Sequence, residues 1–190
     1  MTIVLTVFAI LTKLFMVFVL LRFIAQYFKA DFYNPVTQSV VKLTNPVLAP
    51  LRRLIPGFGG IDLASIILGY FLSLAILGFA YNFWQGYEVQ LLTILLGGLL
   101  ELLYALLDLF FYLLIGRVIA SFLMIGTQLM NNPFVQLVIQ LTDPILRPFQ
   151  RIIPPVGMID FSAIVVFIII TLSQQGLLSL AGSMTGMRLI

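Results

Sequence analysis

The stretch LTNPVLAPLRRLIP, residues 43–56, returns as LTDPILRPFQRIIP at residues 141–154. Each copy holds three prolines and at least one arginine among apolar residues, and each lies between long apolar runs. With an offset of 98, residues 34–62 align with residues 132–160 without a gap, and 15 of the 29 aligned positions are identical. The sequence therefore predicts a tandem duplication of one structural unit.

The repeated unit extends upstream of the proline-rich segment. RFIAQYF, which begins at Arg22, matches RVIASFL, which begins at Arg117, with an offset of 95. Each unit reads as an apolar helix, a basic loop and a second apolar helix. We expect the first repeat to occupy residues 1–88 and the second residues 89–190.

The composition indicates that lipid surrounds most of this chain. Apolar residues make up 62% of the 190 residues and charged residues 9%, against roughly 45–50% and about 25% in ordinary globular domains. A membrane-spanning helix needs about 20 mostly apolar residues. Four stretches meet that length, at about residues 3–27, 63–84, 91–122 and 161–181.

We therefore predict an all-α membrane protein with four transmembrane helices, arranged as a parallel 2+2 repeat. Two spans per repeat bring both copies into the membrane in the same direction. The halves are then expected to be related by a pseudo-twofold axis along the membrane normal.

The positions of the cations predict the orientation. The connections at residues 28–62 and 123–160 carry six cations, whereas the connection at 82–90 carries none and the C-terminal tail carries only Arg188. Short loops rich in Lys and Arg stay in the cytoplasm. We therefore expect a multi-pass protein of the bacterial inner (plasma) membrane, with both termini periplasmic. The six cations are Lys29, Lys42, Arg52, Arg53, Arg147 and Arg151.

Within both basic loops, Asn-Pro and Asp-Pro pairs are typical of helix starts, because Asn or Asp caps free N–H groups and Pro loses no bond at the first helical position. Later prolines predict a break into short helices. Asp62 and Asp160 are expected to cap the following spans. The predicted helix starts are Asn34 with Pro35, Pro46, Asn132 with Pro133, and Pro144.

Apolar residues recur at helical spacing in these loops, opposite polar ones. This pattern predicts amphipathic helices lying in the cytoplasmic interface, with Arg52, Arg53 and Arg151 directed toward anionic lipid headgroups. An alternative is that the Asn-Pro-led helices enter the bilayer as re-entrant loops. Nucleic-acid binding is disfavoured, because a few cations in an apolar loop make a weak electrostatic footprint.

These residues together resemble a known family. An arginine late in the first span, an Asn-Pro pair, and LTxPxLxPxRRxxPxxGxID before the next span are similar to the YggT/YlmG family of small bacterial membrane proteins. Two copies over nearly the whole chain resemble its YggT-type members. The second copy departs from the pattern at Gln150, where the first arginine of the pair is expected.

The resemblance implies an integral, non-enzymatic protein. It implies a connection with cell division, envelope or nucleoid organisation, or with osmotic stress tolerance and potassium homeostasis; plastid relatives are linked to cytochrome assembly. A partner from the membrane or the division machinery, or a second copy of the chain, is an expectation of the same kind.

Two charges fall within predicted spans at equivalent repeat positions. Lys13 and Asp108 are related by the offset of 95, and each lies nine residues before the arginine of its repeat, Arg22 or Arg117. A lone charge near mid-membrane is costly. We predict that Lys13 and Asp108 form an ion pair where the two repeats meet; the alternatives are independent accommodation of each charge and a transport role. Glu101 lies on the same face as Asp108, about two turns nearer the outside; it either marks a polar seam or reaches the outer interface.

The chain contains no Cys and no His, which excludes disulfides, Cys/His metal sites and His general-base catalysis. No catalytic motif, cofactor site or metal site is predicted. A non-enzymatic membrane scaffold is favoured, because the spans are apolar nearly all round. The alternative is an oligomeric channel or transporter component for ion or osmolyte balance.

Overall fold

The computed structural model describes residues 2–84, 90–123, 131–153 and 160–185. These residues form six helices and no strand. In chain order the helices are α1 Thr2–Tyr27, α2 Pro35–Leu54, α3 Leu63–Trp84, α4 Leu91–Leu123, α5 Pro133–Gln150 and α6 Phe161–Thr185. The predicted boundary between the repeats, at residues 88 and 89, lies outside the described residues.

The proline-rich segments form single helices, so the predicted break into short helices is wrong. Pro46 and Pro144, which were predicted to start helices, instead lie inside the 20-residue helix α2 and the 18-residue helix α5. Pro50 and Pro148 lie inside the same two helices. The spacing of four residues within each helix places both prolines of a pair on one face, so the lost N–H bonds fall on one side. Just before Pro46, the Thr44 hydroxyl donates to the carbonyl of Val40 at 2.8 Å.

The starts of α2 and α5 are as predicted. The side chain of Asn34 accepts a hydrogen bond from Val36 N at 2.8 Å, and that of Asn132 accepts one from Phe134 N at 2.9 Å. Pro35 and Pro133 each occupy the first helical position, where a missing N–H costs no helical bond. Each Asn-Pro pair therefore fixes where its amphipathic helix begins.

Each half has its own three-helix core, built from equivalent positions. In the first half, α1, α2 and α3 bury Val19, Leu48 and Leu68 against one another. In the second half, α4, α5 and α6 bury Leu114, Leu146 and Val166. These three pairs of residues follow the repeat offsets of 95 and 98, so the same contacts position α2 and α5 against their long helices.

The two halves meet chiefly along α3 and α4. The Ser73 hydroxyl donates to the Gly98 carbonyl at 2.7 Å, and the Tyr70 hydroxyl donates to the Leu95 carbonyl at 2.9 Å. Small residues allow such close approach of apolar helices. In the described part of the chain α1 and α6 do not pack along one another in this way. The interface therefore lacks the twofold symmetry that the sequence predicted, although α1 also contacts α4 and α2 contacts α5.

The long helices are those of a membrane protein. Three stretches are long and apolar enough to cross a bilayer: Thr6–Tyr27, Leu91–Phe122 and Phe161–Met184. In α3 the apolar stretch Leu63–Gly78 is shorter. Large apolar side chains such as Ile10 and Leu172 are about 60% exposed, and lipid is the solvent in which such surface is stable.

Candidate functional site

In the first half, Arg22 of α1 reaches across to α2. Its Nη1 donates to the Thr44 hydroxyl at 2.7 Å and to the Val41 carbonyl at 3.3 Å. Arg22 is only 6% exposed and Thr44 is fully buried. We call Arg22, Thr44 and the Val41 carbonyl the first arginine cluster. Because the Thr44 hydroxyl also donates to the Val40 carbonyl of its own helix, the cluster connects the end of α1 to the middle of α2.

The second half repeats this arrangement with one addition. Arg117 Nη1 donates to the Thr142 hydroxyl at 2.9 Å and to the Ile139 carbonyl at 3.4 Å. It also forms an ion pair with Asp143, which Arg147 contacts at 3.3 Å. Arg117, Thr142 and Asp143 form the second arginine cluster. The first half has Asn45 at the position of Asp143. Of the two equivalent arginines, Arg117 therefore contacts a carboxylate directly, whereas Arg22 contacts a hydroxyl and a carbonyl.

Asp62 lies before α3, as predicted, and holds the first residues of that helix to α2. Its carboxylate accepts from Arg52 Nε at 3.2 Å, from Arg52 Nη2, and from the Ser65 backbone N–H and hydroxyl. Burial acts to raise the pKa of Asp62. The hydrogen bonds and the charge of Arg52 outweigh burial and hold the pKa below its usual range.

Asp160 occupies the same position before α6. Its carboxylate accepts from the Ser162 backbone N–H at 3.0 Å, from the Ser162 hydroxyl, and from Gln150 Nε2 at 2.6 Å. Burial again acts to raise the pKa, whereas these bonds and the charge of Arg117 lower it below the usual range. Gln150, where the sequence departs from its motif, therefore keeps the hydrogen bond that Arg52 makes in the first half, without the charge.

The two amphipathic helices touch near their N-termini. Asn34 Nδ2 donates to the Pro133 carbonyl at 2.7 Å, and the Asp31 backbone N–H donates to Gln140 Oε1 at 2.8 Å. Arg53 and Arg151 are both exposed near the other ends of these helices. Both arginines therefore present their charges outward and not into the core. The prediction that Arg52 also faces the lipid headgroups is wrong, because its guanidinium is paired with Asp62.

The predicted ion pair between Lys13 and Asp108 is not formed. Lys13 Nζ lies 3.9 Å from Glu101 Oε1, while Asp108 accepts a hydrogen bond from Gln174 of α6 at 3.4 Å. Helical side chains lean toward the N-terminus of their helix. The long Lys13 side chain therefore extends toward Glu101, which lies two turns nearer the start of α4 than Asp108 does.

A cavity of about 320 Å³ opens beside the first arginine cluster. Three cationic side chains line it (Arg22, Lys29 and Arg52), together with Gln26 and Thr37 and apolar side chains of α1, α2 and α5. No acidic residue is among its lining residues. We call this space the cationic cavity. A smaller cavity of about 200 Å³ beside the second arginine cluster is lined by both Arg117 and Asp160.

Nothing in the described ranges gathers three or more Asp or Glu side chains into a group that could hold a metal ion. The arrangement suits binding and positioning through guanidinium groups.

Sequence reasoning identified both arginines but not their partners. Thr44 and Thr142 form one of the 15 identical pairs in the alignment of the two repeats. A hydroxyl that both copies of an apolar segment retain could have identified them as the partners. The pairing of Gln150 with Asp160 and the cationic cavity depend on how helices meet, which spacing alone does not give.

Comparison with known proteins gives consistent results over most of the chain. A family model described as CCB3/YggT matches residues 1–82 and again residues 96–181. An uncharacterised protein of Pseudomonas aeruginosa is 39% identical over 179 residues, covering 93% of this chain and 89% of the relative. The uncharacterised protein YggT of Escherichia coli K12 is 38% identical over 167 residues, covering 86% and 83%.

A Haemophilus influenzae protein is 35% identical over 166 residues, covering 87% of this chain and 86% of the relative. None of these three names specifies an enzyme. No solved structure matches the chain.

Proposed function

We propose that this chain, which belongs to the CCB3/YggT family, is a non-enzymatic scaffold of the bacterial inner membrane. In this proposal four helices span the bilayer as a 2+2 repeat, with α3 as the second span. The helices α2 and α5 lie at the cytoplasmic interface and present exposed cations to lipid headgroups or to a protein partner. The cellular role is envelope or division organisation, or osmotic stress tolerance.

The observation that carries this proposal is the repeated attachment of an amphipathic helix to an arginine of the preceding long helix, which is buried in the first half and partly buried in the second. In both halves the arginine near the end of the first helix donates to a buried threonine of the proline-rich helix. A buried guanidinium is stable only where its donors are satisfied. Each attachment therefore fixes α2 or α5 in one orientation and leaves Arg53 or Arg151 exposed, as a presenting surface requires.

The alternative is an oligomeric channel or transporter component. It is motivated by the polar groups among the long helices, where Lys13 contacts Glu101 and Asp108 contacts Gln174. The cavity beside Glu101 measures only about 40 Å³, which is close to the space that one water occupies. This cavity is too small to serve as an ion path, so a channel would require several copies of the chain.

Two measurements on the intact chain separate these functions. Reconstituted in liposomes of bacterial phospholipids, the protein should pass no potassium or proton flux above that of empty liposomes. In cells lacking the gene, the double variant Arg53→Gln with Arg151→Gln should reach the membrane at normal levels but fail to restore growth under hyperosmotic stress.

The matched control is the double variant Arg53→Lys with Arg151→Lys, which keeps both exposed charges and should restore growth. Steady flux through the purified protein would favour the channel. Full rescue by the double variant would remove the presenting surface from the proposal.

A further inference from the structure

The cationic cavity carries positive charge that no acid within it balances. Arg52 is paired with Asp62, whereas Arg22 forms its hydrogen bonds with a hydroxyl and a carbonyl, both neutral. Lys29 has no ion-pair partner among the described residues and is exposed at the cavity. Among the described residues, Arg22 and Lys29 therefore face this space without a carboxylate in direct contact.

Thr37 provides a second, independent observation. It lines the cavity, is only 6% exposed, and its hydroxyl makes no hydrogen bond within the described chain. A buried hydroxyl without a partner is costly. The hydroxyl oxygen is itself enclosed, so a ligand in the cavity would become its partner after rotation of the Thr37 side chain about its Cα–Cβ bond.

The second half of the chain forms the same three-helix arrangement without counterparts of Thr37 and Lys29. Repeat position 37 is Val135 there, which is buried as well. No Lys or Arg lies between Arg117 and Asn132, and Arg117 is already paired with Asp143. Thr37 and Lys29 are therefore not needed to build the repeat, whereas the arginine at the position of Arg22 is present in both halves.

We propose that the cationic cavity binds one anionic phospholipid, with its phosphate between Arg22 and Lys29 and its glycerol or headgroup hydroxyls at Thr37. The apolar wall formed by residues such as Leu21, Phe32 and Leu137 receives the first methylene groups of an acyl chain. At about 320 Å³ the cavity is at the low end of ligand pockets, so it holds the headgroup region and leaves the rest of the lipid in the bilayer.

A phospholipid is favoured over a free phosphate because the lining mixes cations with apolar side chains from three helices. A free anion would gain nothing from those apolar contacts. The proposal uses the membrane arrangement given above only to place this end of α1 at the headgroup level; the binding site itself consists of contacts within the chain.

The test is lipid binding to the purified, delipidated full chain in mild detergent, followed as one-to-one adducts by native mass spectrometry. Phosphatidylglycerol should bind at least about ten-fold more tightly than phosphatidylcholine, as expected for a charge-assisted contact. Lys29→Gln and Thr37→Val should each weaken phosphatidylglycerol binding about three- to ten-fold. Lys42→Gln, an equal loss of charge from the exposed side of α2, should change it less than two-fold.

Thr37→Val has a further readout that a structural role would not give. In the lipid-free protein the valine removes an unpaired buried hydroxyl, so the unfolding temperature should stay equal or rise, while lipid binding falls. A lower unfolding temperature together with unchanged lipid binding would overturn the proposal.

Displacement of the lipid by millimolar inorganic phosphate would also overturn the proposal, because the acyl chain would then contribute nothing to binding. Equal binding of the two lipids would overturn it as well. All these readouts are made in detergent and involve neither ion flux nor growth, so their failure is distinct from failure of the scaffold role.

Discussion

Arg22 and Arg117 occupy the same repeat position but depend differently on their threonines. Arg117 has the Asp143 carboxylate as well as Thr142, whereas Arg22 has Thr44 and a carbonyl. Losing a hydrogen-bond acceptor is most costly where a buried charged donor has few others. The two threonines occupy equivalent repeat positions, but the loss of the Thr44 hydroxyl is expected to cost more stability than the loss of the Thr142 hydroxyl.

We predict that Thr44→Val lowers the free energy of unfolding by about 1–3 kcal/mol, and that Thr142→Val lowers it by less. Thermal or denaturant unfolding in detergent, followed by circular dichroism, measures both. Thr44→Ser keeps the hydroxyl and serves as the control. Equal losses from the two valine variants would mean that Asp143 does not share in holding Arg117.

Asp62 gives a pH dependence whose sign follows from its lowered pKa. A carboxyl with a lower pKa in the folded state stabilises the protein above its ordinary pKa, about 3.9, and loses that contribution as the pH falls through the folded value. Asp62→Asn should therefore lower the unfolding temperature clearly at pH 7 and by a smaller amount at pH 3.

The exposed Asp31 offers the control for that series, because Asp31→Asn should have a small effect at both pH values. A loss on Asp62→Asn that is the same at pH 7 and pH 3 would show that the charge of the carboxylate, and with it the contact to Arg52, contributes nothing.

At the level of elements, periodicity and capping residues predicted the long helices and the starts of α2 and α5 well. They failed at the internal prolines, because a proline removes one bond but the contacts of Thr44 and Arg22 hold the rest of α2 together. They also failed for Lys13. Repeat offsets give equal depth along two helices, but they do not give the direction in which a long side chain extends.

The contact between α1 and α4 gives a prediction at this scale. In a double-mutant cycle, Lys13→Met with Glu101→Gln should show a coupling of about 0.5–1 kcal/mol. Lys13→Met with Asp108→Asn should be additive within about 0.3–0.5 kcal/mol. Unfolding in detergent provides the four free energies of each cycle. Stronger coupling to Asp108 than to Glu101 would restore the pairing that the sequence suggested.

For the whole molecule, the proposed orientation places both basic connections on the cytoplasmic side. Single cysteines at Lys42 and Arg53, introduced into this cysteine-free chain, should react with a membrane-impermeant maleimide only when it is offered from that side. Reporter fusions at Glu88 and at the C-terminus should both behave as periplasmic. Full protection of both cysteines would favour re-entrant helices, and a cytoplasmic signal from either fusion would reverse the topology.

The two repeats differ at equivalent positions: Gln150 corresponds to Arg52, and Asp143 corresponds to Asn45. Such differences bear on how the protein can evolve. In an assembly of two identical single-repeat chains, every substitution appears twice, so a residue that suits one side must also suit the other. Joining the copies in one polypeptide removes that constraint. The fused chain is in effect an obligate heterodimer, free to keep a carboxylate beside Arg117 while leaving Arg22 open to a ligand from outside the protein.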